Sequence, residues 1–194
     1  MAFDHPFYFL RHGETTWNAA GKTQGQLNSP LSDKGREQAR AAGEALKGEP
    51  IARIVASPLD RAFHTAQAVA AHHGIEIEPD PELMECHLGD HQGQPRGPWL
   101  AEYFQGAYAP PNGETFAQFR DRVWAAMQRA VARGPGTLIV AHGGLWIAAR
   151  QYVELSPTLD RMPNALPLHV TPSPERWEHR ICGGAEAREA EWSL

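Results

Sequence analysis

The string RHGE at residues 11–14 places an arginine directly before a histidine. The Arg11 guanidinium can bind a phosphate through two parallel hydrogen bonds, and a neutral His12 imidazole beside it can attack phosphorus. Gly13 has no side chain, so the backbone there can approach a ligand closely. These residue types suit the binding and transfer of a phosphoryl group, although the tripeptide alone is a weak signal.

Two further strings have a related character. SPLDRA places Arg61 in the first turn of a predicted helix, where the helix dipole also favours an anion. AHGG places His142 and Gly143 directly after a predicted strand. The carboxyl ends of parallel strands lie at one edge of a sheet, so we expect these side chains to meet Arg11 and His12 in one pocket.

Short apolar runs that could form buried strands alternate with helical patterns along the chain. The runs cover residues 6–10, 53–56, 75–78 and 137–141. Alternation of this kind is typical of α/β proteins, in which helices cover both faces of a parallel sheet. It predicts a three-layer α/β/α fold with a mainly parallel central sheet.

Apolar periodicity and capping residues predict four main helices. The first follows Ser32, a suitable N-cap, and the second begins near Pro58, a residue favoured in the first turn. The third covers about residues 115–133, with an apolar inward face and Arg122 among its outward residues. The fourth starts near Gly144.

The segment 80–114 is rich in Gly, Pro and His and is too long for a plain connection. We expect it to form a loop or short helix inserted over the site, with no assigned role for the part at 90–108. His87 and His91 could meet on one helical turn as metal ligands, but the neighbouring glycines and the lack of a cap favour solvent-exposed loop histidines. No metal site is predicted.

The C-terminal region predicts an antiparallel pair of strands at residues 166–170 and 176–182, joined by the turn-forming string TPSPE. The polar end of the chain has no apolar pattern that would hold it to a core. We therefore expect one domain over residues 1–182 and a flexible tail over 183–194.

Composition limits the classes of partner. The chain has 194 residues and a net charge of −5, with 18 Lys and Arg against 23 Asp and Glu, so no broad basic surface for nucleic acid or membrane is expected. Any anion must therefore bind locally. Cys86 and Cys182 lie far apart without a C-x-x-C motif, and we find no secretory signal and no apolar run of about 20 residues. These features predict a cytoplasmic protein.

Taken together, the strings resemble the histidine phosphatase superfamily, also called phosphoglycerate-mutase-like. LRHGETTWNAAGKTQGQLNSPLSDKGREQA is similar to its signature, and the resemblance continues through SPLDRAFHTA, ELMECHLG, PNGET and VAHGG, to about residue 149. Several motifs in the family's order make the match specific. The resemblance implies phosphoryl transfer without a metal or other cofactor.

The resemblance also implies roles for individual residues. His12 would be the nucleophile that becomes a phosphohistidine. The matching phosphate- and substrate-binding positions are Arg11, Asn18, Gln24, Gly25, Arg61, His142 and Gly143. Without the resemblance, Asn18 would more often be a turn or cap residue and Gly25 an ordinary loop residue.

The leaving alkoxide needs a proton, which a carboxylic acid kept neutral at the site can provide. The family pattern of Leu, one residue and Glu points to Glu85 in ELMECHLG, with Glu82 as the competitor. Next to it, Cys86 is interpreted as a packed small residue and not as a nucleophile. After Glu85 the family usually has an acidic residue followed by Gly, an aromatic residue and Glu, and this sequence departs from that pattern. The resemblance therefore predicts neither the shape of this loop nor its contacts with the leaving group.

A phosphohistidine can pass its phosphoryl group to water or back to a phosphorylated substrate. Mutases of this family usually carry a longer insertion between the acid and the P-x-G-E region, whereas here only residues 86–112 separate Glu85 from Gly113. We therefore favour a phosphomonoesterase acting on a small phosphate ester. A phosphoglycerate mutase and a non-catalytic phosphate-ligand or protein-binding module remain as alternatives, and the oligomeric state is left open, with a homodimer as one candidate.

Overall fold

A mixed sheet of seven strands forms the centre of the computed structural model, which describes residues 3–183. The strands are β1 (Phe7–Arg11), β2 (Arg53–Ala56), β3 (Ile77–Pro79), β4 (Thr137–Ala141), β5 (Glu154–Ser156), β6 (Pro167–Pro172) and β7 (Arg176–Ile181). Their order across the sheet is β3-β2-β4-β1-β6-β7-β5. Strands β1 to β4 pair in parallel, and β6 runs antiparallel to β1 and β7. The predicted mainly parallel sheet is confirmed.

The four predicted parallel strands match the observed ones closely. β2 and β4 coincide with the predicted runs, whereas β1 and β3 begin one and two residues later. The antiparallel pair predicted near the C-terminus corresponds to β6 and β7. Strand β5 was not predicted because three residues carry too little pattern, and its pairing with β7 determines its conformation.

Six α-helices surround this sheet in the described part of the chain. They are α1 (Thr16–Ala19), α2 (Asp33–Leu46), α3 (Asp60–His73), α4 (Trp99–Phe104), α5 (Phe116–Val131) and α6 (Gly143–Ala149). The predicted N-cap of α2 is confirmed, since the Ser32 hydroxyl accepts a hydrogen bond from the Gly35 backbone N–H. Thr115 and Gln118 form a reciprocal capping box that starts α5.

Two apolar cores lie on opposite faces of the sheet. Phe7 and Phe9 of β1 belong to one cluster, together with residues of α5 and α6. Tyr8 and Leu10 point to the other face and join residues of α2 and α3. Successive side chains of a strand face opposite sides, so β1 contributes to both cores. The predicted three-layer α/β/α fold is confirmed.

The register of the parallel strands brings their carboxyl ends level. Arg11 at the end of β1 lies opposite Ala141 at the end of β4, and Ala56 of β2 lies opposite Val140. The strings RHGE and AHGG begin at the last residue of β1 and β4, and SPLDRA directly follows β2. The sheet therefore delivers their side chains to one edge.

The segment between β3 and α5 contains helix α4 and two 3-10 helices, Pro81–Leu83 and Gly89–His91, so the expected short helix is present. The prediction that His91 is a solvent-exposed loop residue was wrong, because it ends a 3-10 helix, is partly buried and packs among aromatic rings. It stacks on Trp99 with 4.0 Å between ring centroids, and its Nε2 shares a 2.7 Å hydrogen bond with the Tyr108 hydroxyl. This contact anchors the segment that carries α4.

Within residues 3–183, no helix combines the length and the apolar character needed to cross a membrane. The tail predicted to be flexible falls, from residue 184 onward, outside the described residues. The limit of the predicted single domain at residue 182 stays a prediction.

Candidate active site

The side chains that follow β1, β2 and β4 meet at the carboxyl edge of the sheet. His12 continues the pairing of β1 with β4 by donating its backbone N–H to the Ala141 carbonyl oxygen at 3.0 Å. The ring centroids of His12 and His142 lie 5.2 Å apart. Arg61, in the first turn of α3, lines the same cavity as Arg11 and His12. Arg11, His12 and Arg61 meet in one cavity as predicted, whereas His142 is fully buried beside His12 and does not line it.

His12 is held in a single tautomer. Its Nδ1 lies 2.7 Å from the Gly13 carbonyl oxygen, which can only accept, so Nδ1 carries the proton and Nε2 keeps its lone pair. Burial lowers the pKa of His12 well below its ordinary value, and the charges of Arg61 and Arg11 lower it further. The imidazole is therefore neutral near pH 7, which is the form that a nucleophile needs.

His142 is fully buried and shares a 2.8 Å hydrogen bond between its Nε2 and the Ser57 hydroxyl. The Ser57 oxygen also accepts a hydrogen bond from the Leu59 backbone N–H at 3.3 Å, so its hydroxyl hydrogen is available to His142 Nε2. In that arrangement Nδ1 of His142 carries the ring proton. Burial lowers the pKa of His142 as well, followed by the charge of Arg61.

Arg11 and Arg61 supply fixed positive charge. Arg61 donates from Nη1 to the Leu27 carbonyl at 3.0 Å and from Nη2 to the Gly25 carbonyl at 2.7 Å. Arg11 donates from Nη1 to the Met162 carbonyl at 2.6 Å. Burial lowers the pKa of each arginine to about 10, so both remain charged near pH 7.

Several nitrogen atoms of this cluster have no partner among the described residues. They are Nε of Arg11, Nε of Arg61 and Nδ1 of His142, all buried. A buried donor without a partner costs about 1–3 kcal/mol, so their presence at one site is typical of a place where a ligand completes the hydrogen bonds. An anion with several oxygen atoms suits this set of donors.

Glu85 reaches the same cavity, whereas its competitor Glu82 is exposed in a 3-10 helix and does not line it. The two carboxylate oxygens of Glu85 accept backbone N–H groups, Oε2 from Gly144 at 3.1 Å and Oε1 from Cys86 at 3.0 Å. A Cβ atom at Gly144 would overlap Glu85 Oε1, so glycine is required for this close approach. Of the two candidates Glu85 and Glu82, only Glu85 therefore lines the cavity, where Glu14, held by Ser32 and Lys34, is a second carboxylate.

Arg122 holds the loop that carries Glu85. It donates to the Glu114 carboxylate at 2.7 and 3.2 Å and to the carbonyl oxygens of Glu82, Met84 and Glu85 at 2.7, 3.0 and 3.3 Å. The prediction that Arg122 points outward was wrong, because its long side chain folds back over this loop. Helical periodicity does not reveal such a contact, since it places only the Cα and Cβ atoms.

Asn18, Gln24 and Gly25 line the cavity, as the resemblance implies. Asn18 also caps helix α1, because its Oδ1 accepts from the Thr15 backbone N–H at 3.1 Å. Gln24 is buried and its Oε1 accepts from the Thr15 hydroxyl at 2.8 Å. Gly25 has a positive φ of 55°, and a Cβ atom there would overlap the Gln92 side chain. The Gly25 carbonyl oxygen accepts a hydrogen bond from the Arg61 guanidinium, so this glycine also shapes the site.

The cavity has a volume of about 620 Å³. Gly143 lines it, and a Cβ atom at this position would lie 3.3 Å from Arg11 Nε, which explains why a small residue follows His142. One part of the wall is apolar and includes Leu100, Phe104 and Ile147. The remaining space is large enough for more than a phosphoryl group.

Residues suited to a metal do not converge in the described part of the chain. No three His, Cys, Asp or Glu side chains within residues 3–183 are placed to hold an ion together. Cys86 is buried, and burial together with the charge of Glu85 raises the pKa of its thiol well above the ordinary value. A neutral buried thiol fits the interpretation of Cys86 as a packing residue.

Sequence comparisons with known proteins identify the family of this chain. The family model described as histidine phosphatase superfamily (branch 1) matches residues 7–177. The chain is 39% identical over 150 residues to phosphoglycerate mutase-like protein 4 of Arabidopsis thaliana, covering 70% of this chain and 65% of that protein. It is 37% identical over 171 residues to a glucosyl-3-phosphoglycerate phosphatase of Mycolicibacterium vanbaalenii, covering 79% of this chain and 76% of that protein.

A solved structure shows the same fold. The mycobacterial glucosyl-3-phosphoglycerate phosphatase in complex with VO3 superposes with a TM-score of 0.78 at 30% identity, over 93% of this chain and 99% of that chain. The family match covers the strands that end in the Arg11, Arg61 and His142 motifs and the segment that carries Glu85. The chain belongs to the histidine phosphatase superfamily.

Proposed function

We propose that the protein is a phosphomonoesterase that transfers the phosphoryl group of a small ester first to His12 and then to water. The observation that carries this proposal is the buried, neutral His12 ring, whose Nε2 lone pair is free beside Arg11, Arg61 and His142. Membership of a superfamily whose relatives include a phosphatase and a mutase-like protein supports it.

In the first half-reaction, His12 Nε2 forms a bond to phosphorus while the bond from phosphorus to the ester oxygen breaks. The transition state is loose, and its charge lies mainly on the three equatorial oxygens. Arg11, Arg61 and the Nδ1–H of His142 offer donors to those oxygens. Because the donors are buried and already in place, little reorganisation is needed when the charge develops.

Glu85 supplies the proton that the leaving alkoxide needs. The resulting carboxylate then accepts a proton from the water that attacks the phosphohistidine, the bond between phosphorus and Nε2 breaks, and His12 regains its lone pair. The backbone N–H groups of Gly144 and Cys86 fix both carboxylate oxygens of Glu85 at the cavity. This cycle draws its charge and its protons from side chains, so a chelator such as EDTA is expected to leave turnover unchanged.

The size of the cavity supports a small substrate. About 620 Å³ lies within the range of small-molecule sites, roughly 300–1,000 Å³. We place the protein in the cytoplasm, a setting that suits the free thiols of Cys86 and Cys182, both buried. The substrate is therefore taken to be a phosphorylated metabolite of that compartment.

Removal of His12 tests the proposal most directly. With p-nitrophenyl phosphate as substrate, His12→Ala should lower kcat by at least about 10³-fold, since the covalent route is lost. His64→Ala is the matched control, because His64 is exposed on α3 and should leave kcat unchanged. Full turnover by His12→Ala would refute the phosphohistidine route. Binding of a phosphate ester by the unmodified protein without any turnover would indicate a binding module instead.

Phosphoglycerate mutase activity is the second candidate, favoured by the Arabidopsis relative described as phosphoglycerate mutase-like. Between Glu85 and Gly113 the chain has two short helical elements, Gly89–His91 and α4, whereas the resemblance implies a longer insertion here in family mutases. An assay with 3-phosphoglycerate and a bisphosphate primer separates the two reactions. A hydrolase releases inorganic phosphate, whereas a mutase forms the 2-isomer with little free phosphate.

A further inference from the structure

The two peptide groups that flank Gly13 lie just beyond the end of strand β1. The pairing of β1 with β4 ends with the bond from the His12 backbone N–H to the Ala141 carbonyl oxygen. His12 and Gly13 are both buried, so the polar atoms of the following peptide groups need partners inside the protein. Side chains from α2, α3 and the loop between β5 and β6 supply them.

The first of these peptide groups joins His12 to Gly13. Its N–H, on Gly13, donates to the Thr65 hydroxyl at 3.1 Å, and its carbonyl oxygen, on His12, accepts from Asn164 Nδ2 at 2.9 Å. Thr65 is fully buried on α3, and its hydroxyl donates to the Arg61 carbonyl at 2.7 Å. That bond uses the hydroxyl hydrogen and leaves the lone pairs of the oxygen for the Gly13 N–H.

The second peptide group joins Gly13 to Glu14. Its N–H, on Glu14, donates to Gln38 Oε1 of α2 at 2.8 Å, and its carbonyl oxygen, on Gly13, accepts from His12 Nδ1 at 2.7 Å. Hydrogen bonds at both ends of one peptide group polarise each other. The bond to Gln38 therefore makes the Gly13 carbonyl a stronger acceptor for the His12 ring.

Helix α2 packs directly on this backbone. A Cβ atom at Gly13 would overlap the Gly35 carbonyl oxygen, and a Cβ atom at Gly35 would overlap the Glu14 carbonyl oxygen. The Glu14 carbonyl also accepts the Ser32 N–H at 2.9 Å. The first turn of α2 thus leaves the peptide groups around Gly13 little room to move.

We propose that Gln38 and Thr65 are positioning residues for the nucleophile. Through the two peptide groups around Gly13, they hold the Gly13 carbonyl oxygen against His12 Nδ1 and so keep the lone pair on Nε2. The inference rests on the proposed function in taking His12 as the nucleophile. When the carbonyl is released, the ring proton can move to Nε2, and that tautomer has no lone pair on the nitrogen that attacks phosphorus.

NMR of protein labelled with ¹⁵N-histidine tests the tautomer without any turnover. A ring nitrogen that carries a proton and one that carries a lone pair have well-separated ¹⁵N shifts, and His12→Gln identifies the two signals of this ring. The unmodified protein should show the Nδ1–H form. Thr65→Val and Gln38→Met each remove one acceptor with little change in size, and each should move the two shifts towards each other as both tautomers become populated.

Kinetics with p-nitrophenyl phosphate test the effect on the nucleophile. The value of kcat/KM covers the steps up to release of p-nitrophenolate, which include the attack by His12. In Thr65→Val and in Gln38→Met it should fall by about tenfold or more, because the ring is less often in the reactive tautomer and orientation. The inhibition constant of inorganic phosphate should stay close to that of the unmodified protein, since Arg11 and Arg61 keep their contacts.

Two control variants separate positioning from general damage. Thr65→Ser returns the hydroxyl and should restore both the ring shifts and kcat/KM. Gln67→Met makes the same exchange at an exposed glutamine of α3 outside the cavity and should change neither. Gln38 is only partly buried, so Gln38→Met carries the test if Thr65→Val does not fold.

The outcomes also separate this inference from the proposed function. Unchanged ring shifts and unchanged kcat/KM in Thr65→Val and Gln38→Met would overturn the positioning role. A Thr65→Ser variant as slow as Thr65→Val would overturn it for Thr65, since the loss would then come from packing. Conversely, a chain that hydrolyses no ester but whose His12 tautomer shifts in both variants would retain the positioning of the ring and lose the proposed phosphatase activity.

Discussion

Replacing Arg122 by methionine should remove the support of the proposed acid while sparing the nucleophile. The guanidinium donates to three carbonyl oxygens of the Glu85 loop and to both oxygens of Glu114. The side chains of Arg122 and Glu114 are each only 17% exposed, so this pair is largely shielded from water. Among the described residues, Glu114 of the variant keeps only the His87 backbone N–H as a side-chain donor, at 2.7 Å.

The expected cost follows from these contacts. Removing one partner of a buried ion pair costs about 3–5 kcal/mol, and with partial exposure we expect about 2–4 kcal/mol in the free energy of unfolding. For a chain of this size, that loss lowers Tm by about 5–15 °C. Displacement of Glu85 by about 1 Å would slow proton transfer to the leaving group by about 10²-fold.

Two substrates distinguish a displaced acid from general damage. p-Nitrophenolate leaves without a proton, whereas an alkyl phosphate such as glycerol 3-phosphate needs one from Glu85. Arg122→Met should therefore reduce kcat strongly for the alkyl ester and little for the aryl ester, measured below the Tm of the variant. Arg120→Met is the control, because Arg120 lies on the same helix but bonds Asp121. Equal losses with both substrates, or none, would refute this reasoning.

Three further expectations concern other parts of the site. Gly144→Ala places a Cβ atom against Glu85 Oε1 and should lower kcat for alkyl phosphates by about tenfold or more; unchanged kinetics would contradict the close approach. Burial lowers the pKa of His12 and His142, so the unfolded chain binds more protons below about pH 6.5. The contribution of these two histidines to the free energy of unfolding should be at its maximum above that pH. On acidification the free energy of unfolding should decrease by up to about 1.4 kcal/mol per pH unit for each histidine, which urea titrations at several pH values measure. Ser57→Ala removes the 2.8 Å bond to His142 and should lower kcat by about tenfold without abolishing phosphate binding.

The sequence predicts the site where local pattern and topology coincide. Arg11, Arg61 and His142 each follow a short apolar strand or begin the next helix, and parallel strands can only bring such positions to one edge. No such topological rule predicts the position of Glu85, because this residue lies in an irregular segment. Its selection over Glu82 came from the family's spacing, and the Gly144 N–H explains that selection in physical terms.

What the sequence leaves open depends on long side chains and on loops. Arg122 lies at an outward helical position, yet its guanidinium reaches across to a separate loop, a contact that periodicity cannot encode. Arg96 and Arg161 lie in loops distant in sequence, and only the folded structure shows that both line one cavity. Strand β5 is defined by its partner β7, since three residues have no periodic signal of their own.

The preponderance of arginine at this site has a physical reason that composition alone does not reveal. The nucleophile must be an uncharged imidazole, whereas the groups around it must stay positive. Burial meets both needs, because it makes His12 neutral and still leaves the pKa of Arg11 and Arg61 at about 10. A lysine starts from about 10.4, so the same desolvation would bring its pKa towards about 8, and it would lose about a tenth of its charge at pH 7 and about half at pH 8. Exposed residues of the cavity wall keep their ordinary hydration, so burial does not limit the choice of cation there. Lys22 and Arg96 are both exposed and both line the cavity. Burial beside His12 therefore favours arginine, which keeps its charge over the whole neutral pH range, whereas exposed positions of the cavity wall accept either residue.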